Sequence, residues 1–154
     1  MQANIRKTKS ADYPAINALG TANYPKNYDE TDESFNSKMA GYPEGCFVAD
    51  LDGIIGYVVS FPYLLGKQYP TNEPYEPVAS PDCYYIHDLT VSPDFRRKGI
   101  ATQLAKKVLQ AHWEVTGLIA VGGSRGFWQT LGFRGFAHID YYGLKAEYML
   151  LIRD

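Results

Sequence analysis

Sulfur and imidazole are scarce in this chain. Among 154 residues there are two cysteines, Cys46 and Cys83, and three histidines, His87, His112 and His138. Two cysteines are too few to staple a small secreted scaffold, and neither they nor the histidines fall at metal-ligand spacing. A disulfide framework and a metal site are both unexpected, and the cysteines read as reduced thiols of a cytoplasmic protein. Long apolar runs are missing as well. No stretch of about 18 apolar residues occurs, and the opening Met1-Gln2-Ala3-Asn4-Ile5-Arg6-Lys7 lacks the apolar centre of a signal peptide. Neither a membrane nor an export route is expected. Charge of one sign is absent: a net charge of −2 gives no electrostatic reason to expect nucleic acid, and thirteen tyrosines without a basic surface make no stacking platform for single strands. The P-loop pattern Gly-x-x-x-x-Gly-Lys-Ser/Thr and the dinucleotide pattern Gly-x-Gly-x-x-Gly are both missing.

What remains is the composition of a globular chain, 45% hydrophobic and 21% charged, of a length suited to one domain spanning residues 1–154. The pattern alternates. Ile5 to Lys7 reads as a short strand. Ser10 reads as the cap of a helix over Ala11 to Leu19, with Pro14 tolerated in its first turn, and Thr31 as the cap of another ending near Gly41. Cys46 to Leu51 and Ile54 to Phe61 are strand-like runs joined by the hairpin dipeptide Asp52-Gly53. Leu64 to Asp82 holds five residues of Gly or Pro with no apolar period and reads as a long loop. Cys83 to Val91 is the next strand, Ile100 to about Val115 a helix and Leu118 to Val121 a strand. Ser124 to Leu131 is a short helix that Ser124 caps and Gly132 closes. Strands over about Phe133 to Tyr141 and Glu147 to Ile152 end the chain.

One junction in this pattern points to chemistry. Arg96-Arg97-Lys98-Gly99-Ile100-Ala101-Thr102 connects the strand ending at Val91 to an amphipathic helix. A turn of consecutive amides running into a helix N-terminus is an anion cradle, because unpaired N–H groups and the positive end of the helix dipole converge there. Gly99 and Ala101 suit such a cradle, since a larger side chain would obstruct an approaching phosphate. The lead-in is Leu89-Thr90-Val91-Ser92-Pro93-Asp94-Phe95, so the whole reads Leu-x-Val-x-Pro-x-x-Arg-x-x-Gly-x-Ala. That string, together with Phe127-Trp128-Gln129-Thr130-Leu131-Gly132-Phe133, resembles the coenzyme A signature of the GNAT superfamily, the acetyl-CoA-dependent N-acyltransferases.

The resemblance implies a three-layer α+β fold, a mixed central sheet with helices on both faces, splayed between its fourth and fifth strands. It implies acetyl-CoA as cosubstrate and no metal. Main-chain groups of Leu89, Thr90 and Val91 would hold the pantetheine arm as a substitute strand. Arg96, Arg97, Lys98, Gly99, Ile100, Ala101 and Thr102 would hold the pyrophosphate. Trp128 stands where many members carry a tyrosine close to the sulfur, and it packs either on the coenzyme or in the core. An indole donates a hydrogen bond but has no accessible titration, so it is no proton-relaying acid.

Because the thioester is already activated, the protein must position an amine, take its proton and stabilise the oxyanion. An alkylamine of pKa about 10 is mostly protonated at neutral pH, which makes a base useful. His87 is the candidate, read either as base or as a hydrogen-bonded residue of the sheet. By the period of two, Tyr85, His87 and Leu89 share a face, with Ile86 and Asp88 on the other. The string His87-Asp88-Leu89-Thr90-Val91 is similar to the strand of arylalkylamine N-acetyltransferases, with Tyr85 in the place of a first histidine. Tyr85, Tyr141 and Tyr142 are candidate acids. Tyr24, Tyr28, Asp29, Glu30 and Glu33, with Tyr69, Glu73, Tyr75 and Glu76, are expected to form an aromatic, acidic mouth for a cationic amine. The acceptor stays open between small-molecule amines and a peptide amine, and homodimers are common in the family. The alternative function is a non-catalytic acyl-CoA-binding sensor or interaction module.

Overall fold

The chain is described here by a computed structural model covering residues 2–23 and 30–153. Strands β1 (Asn4–Lys7), β2 (Cys46–Asp50) and β3 (Ile54–Tyr63) pair antiparallel. Asp52 and Gly53 take φ of 52° and 125° in the turn between β2 and β3, the left-handed backbone that a tight hairpin demands and that Asp and Gly tolerate. Strand β4 (Cys83–Val91) continues the antiparallel order, then pairs parallel with β5 (Val115–Val121). Beyond β5 lie β7 (Leu144–Ile152) and the edge strand β6 (Arg134–Tyr141), giving the order β1-β2-β3-β4-β5-β7-β6.

Helices cover both faces. On one, Ile16 of α1 (Tyr13–Asn23) and Phe35 and Met39 of α2 (Asp32–Gly41) pack on Val48, Val59, Phe61 and Tyr85. On the other, Ile100, Leu104 and Val108 of α3 (Ile100–Leu109) and Trp128 of α4 (Arg125–Thr130) pack on Phe47, Ile86, Leu118 and Met149. This is the expected mixed sheet between two helical layers.

The local signals acted in instructive ways. Thr31 caps α2 as read: its hydroxyl accepts from Ser34 N–H at 3.1 Å, and Asp32 and Glu33 fill the first turn, where the dipole favours them. Ser10 does not cap α1. It opens a single 3-10 turn, and Asp12, not Ser10, supplies the carboxylate that accepts from Lys9 N–H at 2.8 Å. The same carboxylate holds Arg6 at 2.8 and 2.9 Å, tying the start of the helix to β1. Helix α3 ends at Leu109 rather than near Val115. His112 adopts φ of 57°, and Val115 and Thr116 are drawn into register with Ile152 and Leu151 of β7; for β-branched residues the ladder outweighs another helical turn.

Arg6 makes the fold's acid response testable. The guanidinium hydrogen bond outweighs burial and holds the Asp12 carboxyl below its ordinary range, with Lys9 N–H assisting. A carboxyl depressed in the folded state adds stability above its unfolded pKa, about 3.9, and loses it as pH falls through the folded value. Urea melts of Asp12→Asn against wild type should therefore show a deficit at pH 7 that shrinks as pH falls below about 4. A deficit of constant size would show that the charge is not what matters.

Candidate functional site

Strands β4 and β5 stay paired over three positions only, Tyr84 with Thr116, Tyr85 with Gly117 and Ile86 with Leu118. Each runs on, β4 to Val91 and β5 to Val121, without its partner. The expected splay between the fourth and fifth strands is thus present. A cavity of about 540 Å³ opens there, walled by His87 to Val91 of β4, Leu118, Ile119 and Val121 of β5, and residues of α1 and α4.

The wall of β4 differs from the simple alternation. Val59 of β3 pairs with Asp88 and Ser60 with Ile86, so His87 is an extra residue, a one-residue bulge. Alternation reverses at that point. Tyr85 and His87 face the α1 and α2 layer, as the period of two placed them. The bulge then turns Asp88 and Thr90 to the same side, where Tyr57 Oη donates to Asp88 Oδ2 at 2.6 Å and Thr90 Oγ1 to Asp88 Oδ1 at 3.0 Å. Leu89 is turned to the α3 layer with Ile86 and Val91. The expected grouping of Leu89 with His87, and of Asp88 with Ile86, is therefore corrected. The bulge falls at His87 itself.

His87 is held tightly. Its side chain is 3% exposed, with the rings of Phe35 and Phe61 at 6.1 and 5.9 Å. Nε2 lies 3.3 Å from Glu30 Oε1. Nδ1 is buried and has no hydrogen-bond partner among the described residues. The other carboxylate oxygen of Glu30 accepts from Ser34 Oγ at 2.7 Å and from the ammonium of Lys38. Lys38 is fully buried and also donates to Thr71 O at 3.0 Å and Glu73 O at 2.9 Å. Burial pushes the Glu30 carboxyl up, but His87, Lys38 and Ser34 outweigh it and leave it below the usual carboxylate range. Burial likewise pushes the Lys38 ammonium down, and Glu30 offsets only part of that. Sequence reading missed Lys38 altogether, because a lysine in a polar helix looks like a solvated one.

Tyr85 is placed differently from His87. It is 2% exposed in the apolar layer, burial pushes its phenol well above the ordinary range, and it is no part of the cavity wall. Tyr141 does line the cavity, and Tyr142 does not; their hydroxyls lie against Thr71, 3.0 Å from its Oγ1 and 2.8 Å from its N–H respectively. Of the expected acidic mouth, Glu30 is in the wall, whereas Glu33, Tyr69, Glu73, Tyr75 and Glu76 are not; Tyr24, Tyr28 and Asp29 lie outside the described residues. The loop 64–82 contributes Thr71 instead.

At the other end of the opening is the cradle. Arg97 and Gly99 take φ of 63° and 80°, and Gly99 opens α3, whose first helical bond is Gln103 N–H to Gly99 O at 3.1 Å. The N–H groups of Ile100, Ala101 and Thr102 therefore have no helical acceptor. A hollow of about 160 Å³ beside them is lined by Arg96, Arg97, Gly99, Ala101 and Thr102. A Cβ on Gly99 would meet no atom of the described residues within 4 Å. Arg96 donates across to Val91 O and Asn23 Oδ1 at 3.3 and 3.1 Å, and Lys98 lies over the Phe95 ring. Trp128 packs in the core, edge-on to Phe127 and Phe133 at 4.8 and 5.4 Å, and also lines the cavity.

Other nucleophile candidates drop out. The spacing Gly122-Gly123-Ser124-Arg125-Gly126 is that of a nucleophile elbow, but Ser124 Oγ donates to Val121 O at 2.7 Å and neither meets a histidine nor caps α4. Cys46 is buried, which pushes its thiol up to about 12. Among the described residues no cluster of His, Cys, Asp and Glu could hold a metal ion.

The fold class is the one the Arg96 to Thr102 motif implied, a mixed sheet parted at its centre beside a helix N-terminus. A model of the Acetyltransferase (GNAT) family matches residues 9–133, and the chain belongs to that family. Comparison with curated proteins yields no match. Among solved structures, the loading GNATL domain of CurA from Lyngbya majuscula is similar with a TM-score of 0.82, at 15% identity over 99% of this chain and 98% of that one. A chain of the NatC complex, solved with Gag peptide and CoA, is similar at 0.79, with 16% identity and full coverage of both. Ard1 from Thermoplasma volcanium follows at 0.78, with 18% identity over 99% and 98%. At such identities these likenesses establish the fold.

Proposed function

We propose that this chain is an N-acetyltransferase that passes the acetyl group of acetyl-CoA to a primary amine by direct attack in a ternary complex. The observation that supports it most is the buried His87 nitrogen without a partner among the described residues, at the wall of a cavity that also reaches a helix N-terminus. The coenzyme supplies the activated thioester; the chain supplies the geometry. Main-chain groups of Leu89 to Val91, left without a β5 partner, receive the amide-bearing pantetheine arm, and the amides of Gly99 to Thr102 receive the pyrophosphate. Arg97 and Lys98 add positive charge at that end.

On the acceptor side Glu30 holds His87 Nε2–H, which leaves the Nδ1 lone pair to take a proton from the amine directly or through one water. The amine nitrogen bonds to the thioester carbon, the carbon–sulfur bond breaks, and the thiolate leaves with the electron pair. Its ordinary pKa of about 8.5 makes it a fair leaving group without an enzyme acid; Trp128 donates a hydrogen bond but no proton. Tyr85 is given no part, being outside the cavity wall. The acidic wall, Glu30, Asp32 and Asp88, suits a cationic amine of a small molecule or a peptide.

The test is release of free thiol from acetyl-CoA with a panel of alkylamines, arylalkylamines, amino acids and short peptides. One acceptor should raise release well above hydrolysis. With it, Thr71→Val should raise the amine KM several-fold and Glu73→Gln should leave it within about twofold, since only Thr71 lines the cavity. Tight acetyl-CoA binding without any acceptor would favour the sensor reading instead.

A further inference from the structure

Glu30 has two oxygens with different duties, and a third residue decides which does which. Oε2 receives Lys38 and Ser34 Oγ; Oε1 faces His87 Nε2 at 3.3 Å. An ammonium has three donors and no acceptor, so whatever atom of residue 30 meets Lys38 must be an acceptor. Lys38 is itself fixed from the other side by the carbonyls of Thr71 and Glu73 at 3.0 and 2.9 Å, with Ser34 Oγ at 3.1 Å. It is fully buried, and its side chain cannot swing to solvent.

We propose that Lys38 is a positioning residue: it pins Glu30 Oε2 as an acceptor, leaves Oε1 to receive Nε2–H of His87, and so keeps the His87 lone pair on Nδ1. The loop 64–82 takes part through its two carbonyls. The loop that borders the acceptor side and the nitrogen that takes the proton are thereby set together. This rests on the acetyltransferase reading for its consequence in catalysis, but the tautomer itself does not.

The arrangement makes an isosteric change at Glu30 unusually informative. In Glu30→Gln the amide oxygen must face Lys38, so the NH2 group is turned to His87. Nε2 must then accept, and the proton moves to Nδ1. The base nitrogen disappears without loss of volume. Adding Lys38→Met removes the ammonium that demands an acceptor, so the amide is free to rotate against Ser34 Oγ and the Nε2–H form becomes accessible again.

Two-bond proton–nitrogen correlation spectra of 15N-histidine-labelled protein distinguish the two neutral tautomers from each other and from the imidazolium, and so read the tautomer directly. His87→Gln identifies the signal against His112 and His138. The expected pattern is Nε2–H in wild type, Nδ1–H in Glu30→Gln and at least partial recovery of Nε2–H in the double variant. In the thiol-release assay Glu30→Gln should lower kcat about 100-fold, the usual scale for losing a positioned base, with the KM for acetyl-CoA unchanged. A wild type in the Nδ1–H form, or a Glu30→Gln spectrum like wild type, overturns the proposal. Those two spectra decide it even where the double variant fails to fold. The right tautomers without thiol release for any amine would overturn the acetyltransferase reading and leave the positioning role intact.

Discussion

Replacing Gly99 with glutamate will abolish tight acetyl-CoA binding while the protein stays folded. Gly99 opens α3 with φ of 80°, a left-handed backbone that costs an L-residue roughly 1–2 kcal/mol. A Cβ there would meet no atom of the described residues within 4 Å, so none of them adds a clash to that cost. The melting temperature should fall by only a few degrees. The binding effect is far larger. A carboxylate at this point lies before the free amides of Ile100 to Thr102, where it both repels an incoming pyrophosphate and competes with it for the helix N-terminus. Two like charges about 4 Å apart near a protein surface repel by about 4 kcal/mol, and each 1.4 kcal/mol is tenfold in affinity. A loss of 100-fold or more is expected by calorimetry. Gly99→Ala separates strain from charge: it carries the same backbone penalty and no carboxylate, and should lose less than about tenfold. Equal affinity of wild type and Gly99→Glu would remove the cradle from the coenzyme site.

The cradle was readable from residues because its geometry is local. A Gly that must sit at positive φ, a run of backbone amides and an amphipathic start to α3 are contained within seven positions, Arg96 to Thr102. The parted strands were readable for a related reason: the strand patterns of Cys83–Val91 and Leu118–Val121 do not depend on distant partners, and the family resemblance supplied the gap between them. The bulge at His87 was not readable. It exists because Val59 and Ser60 of β3 fall opposite Asp88 and Ile86, and a cross-strand register leaves no mark on the period of β4 alone. One extra residue was enough to move Asp88 and Leu89 to opposite faces from those the alternation assigned.

The buried polar network was hidden more deeply. Lys38 lies in Asp32-Glu33-Ser34-Phe35-Asn36-Ser37-Lys38, a helix whose sequence is polar on most sides. Its burial is created by carbonyls of Thr71 and Glu73, more than thirty residues away in a loop with no period of its own. The acidic side chains of that loop attract attention in the sequence, yet Glu73 and Glu76 are exposed and the loop acts through its backbone and Thr71. Tertiary placement overrode residue type in both directions.

His87 is where the catalytic claim is most exposed to experiment. His87→Ala should lower kcat by about 100-fold or more while leaving acetyl-CoA affinity unchanged, because the loss falls on proton removal rather than on coenzyme binding. Stability is a necessary control, since the ring packs between Phe35 and Phe61 and its removal leaves a void. A void alone lowers the melting temperature and leaves the turnover of the folded protein in place. Tyr85→Phe is the second control: its ring stays, its hydroxyl is outside the cavity wall, and turnover should remain within about twofold of wild type. An alanine variant at position 87 with full turnover would make His87 a residue of the sheet. A Tyr85→Phe variant that loses turnover instead would move the proton chemistry one turn of the pleat along β4.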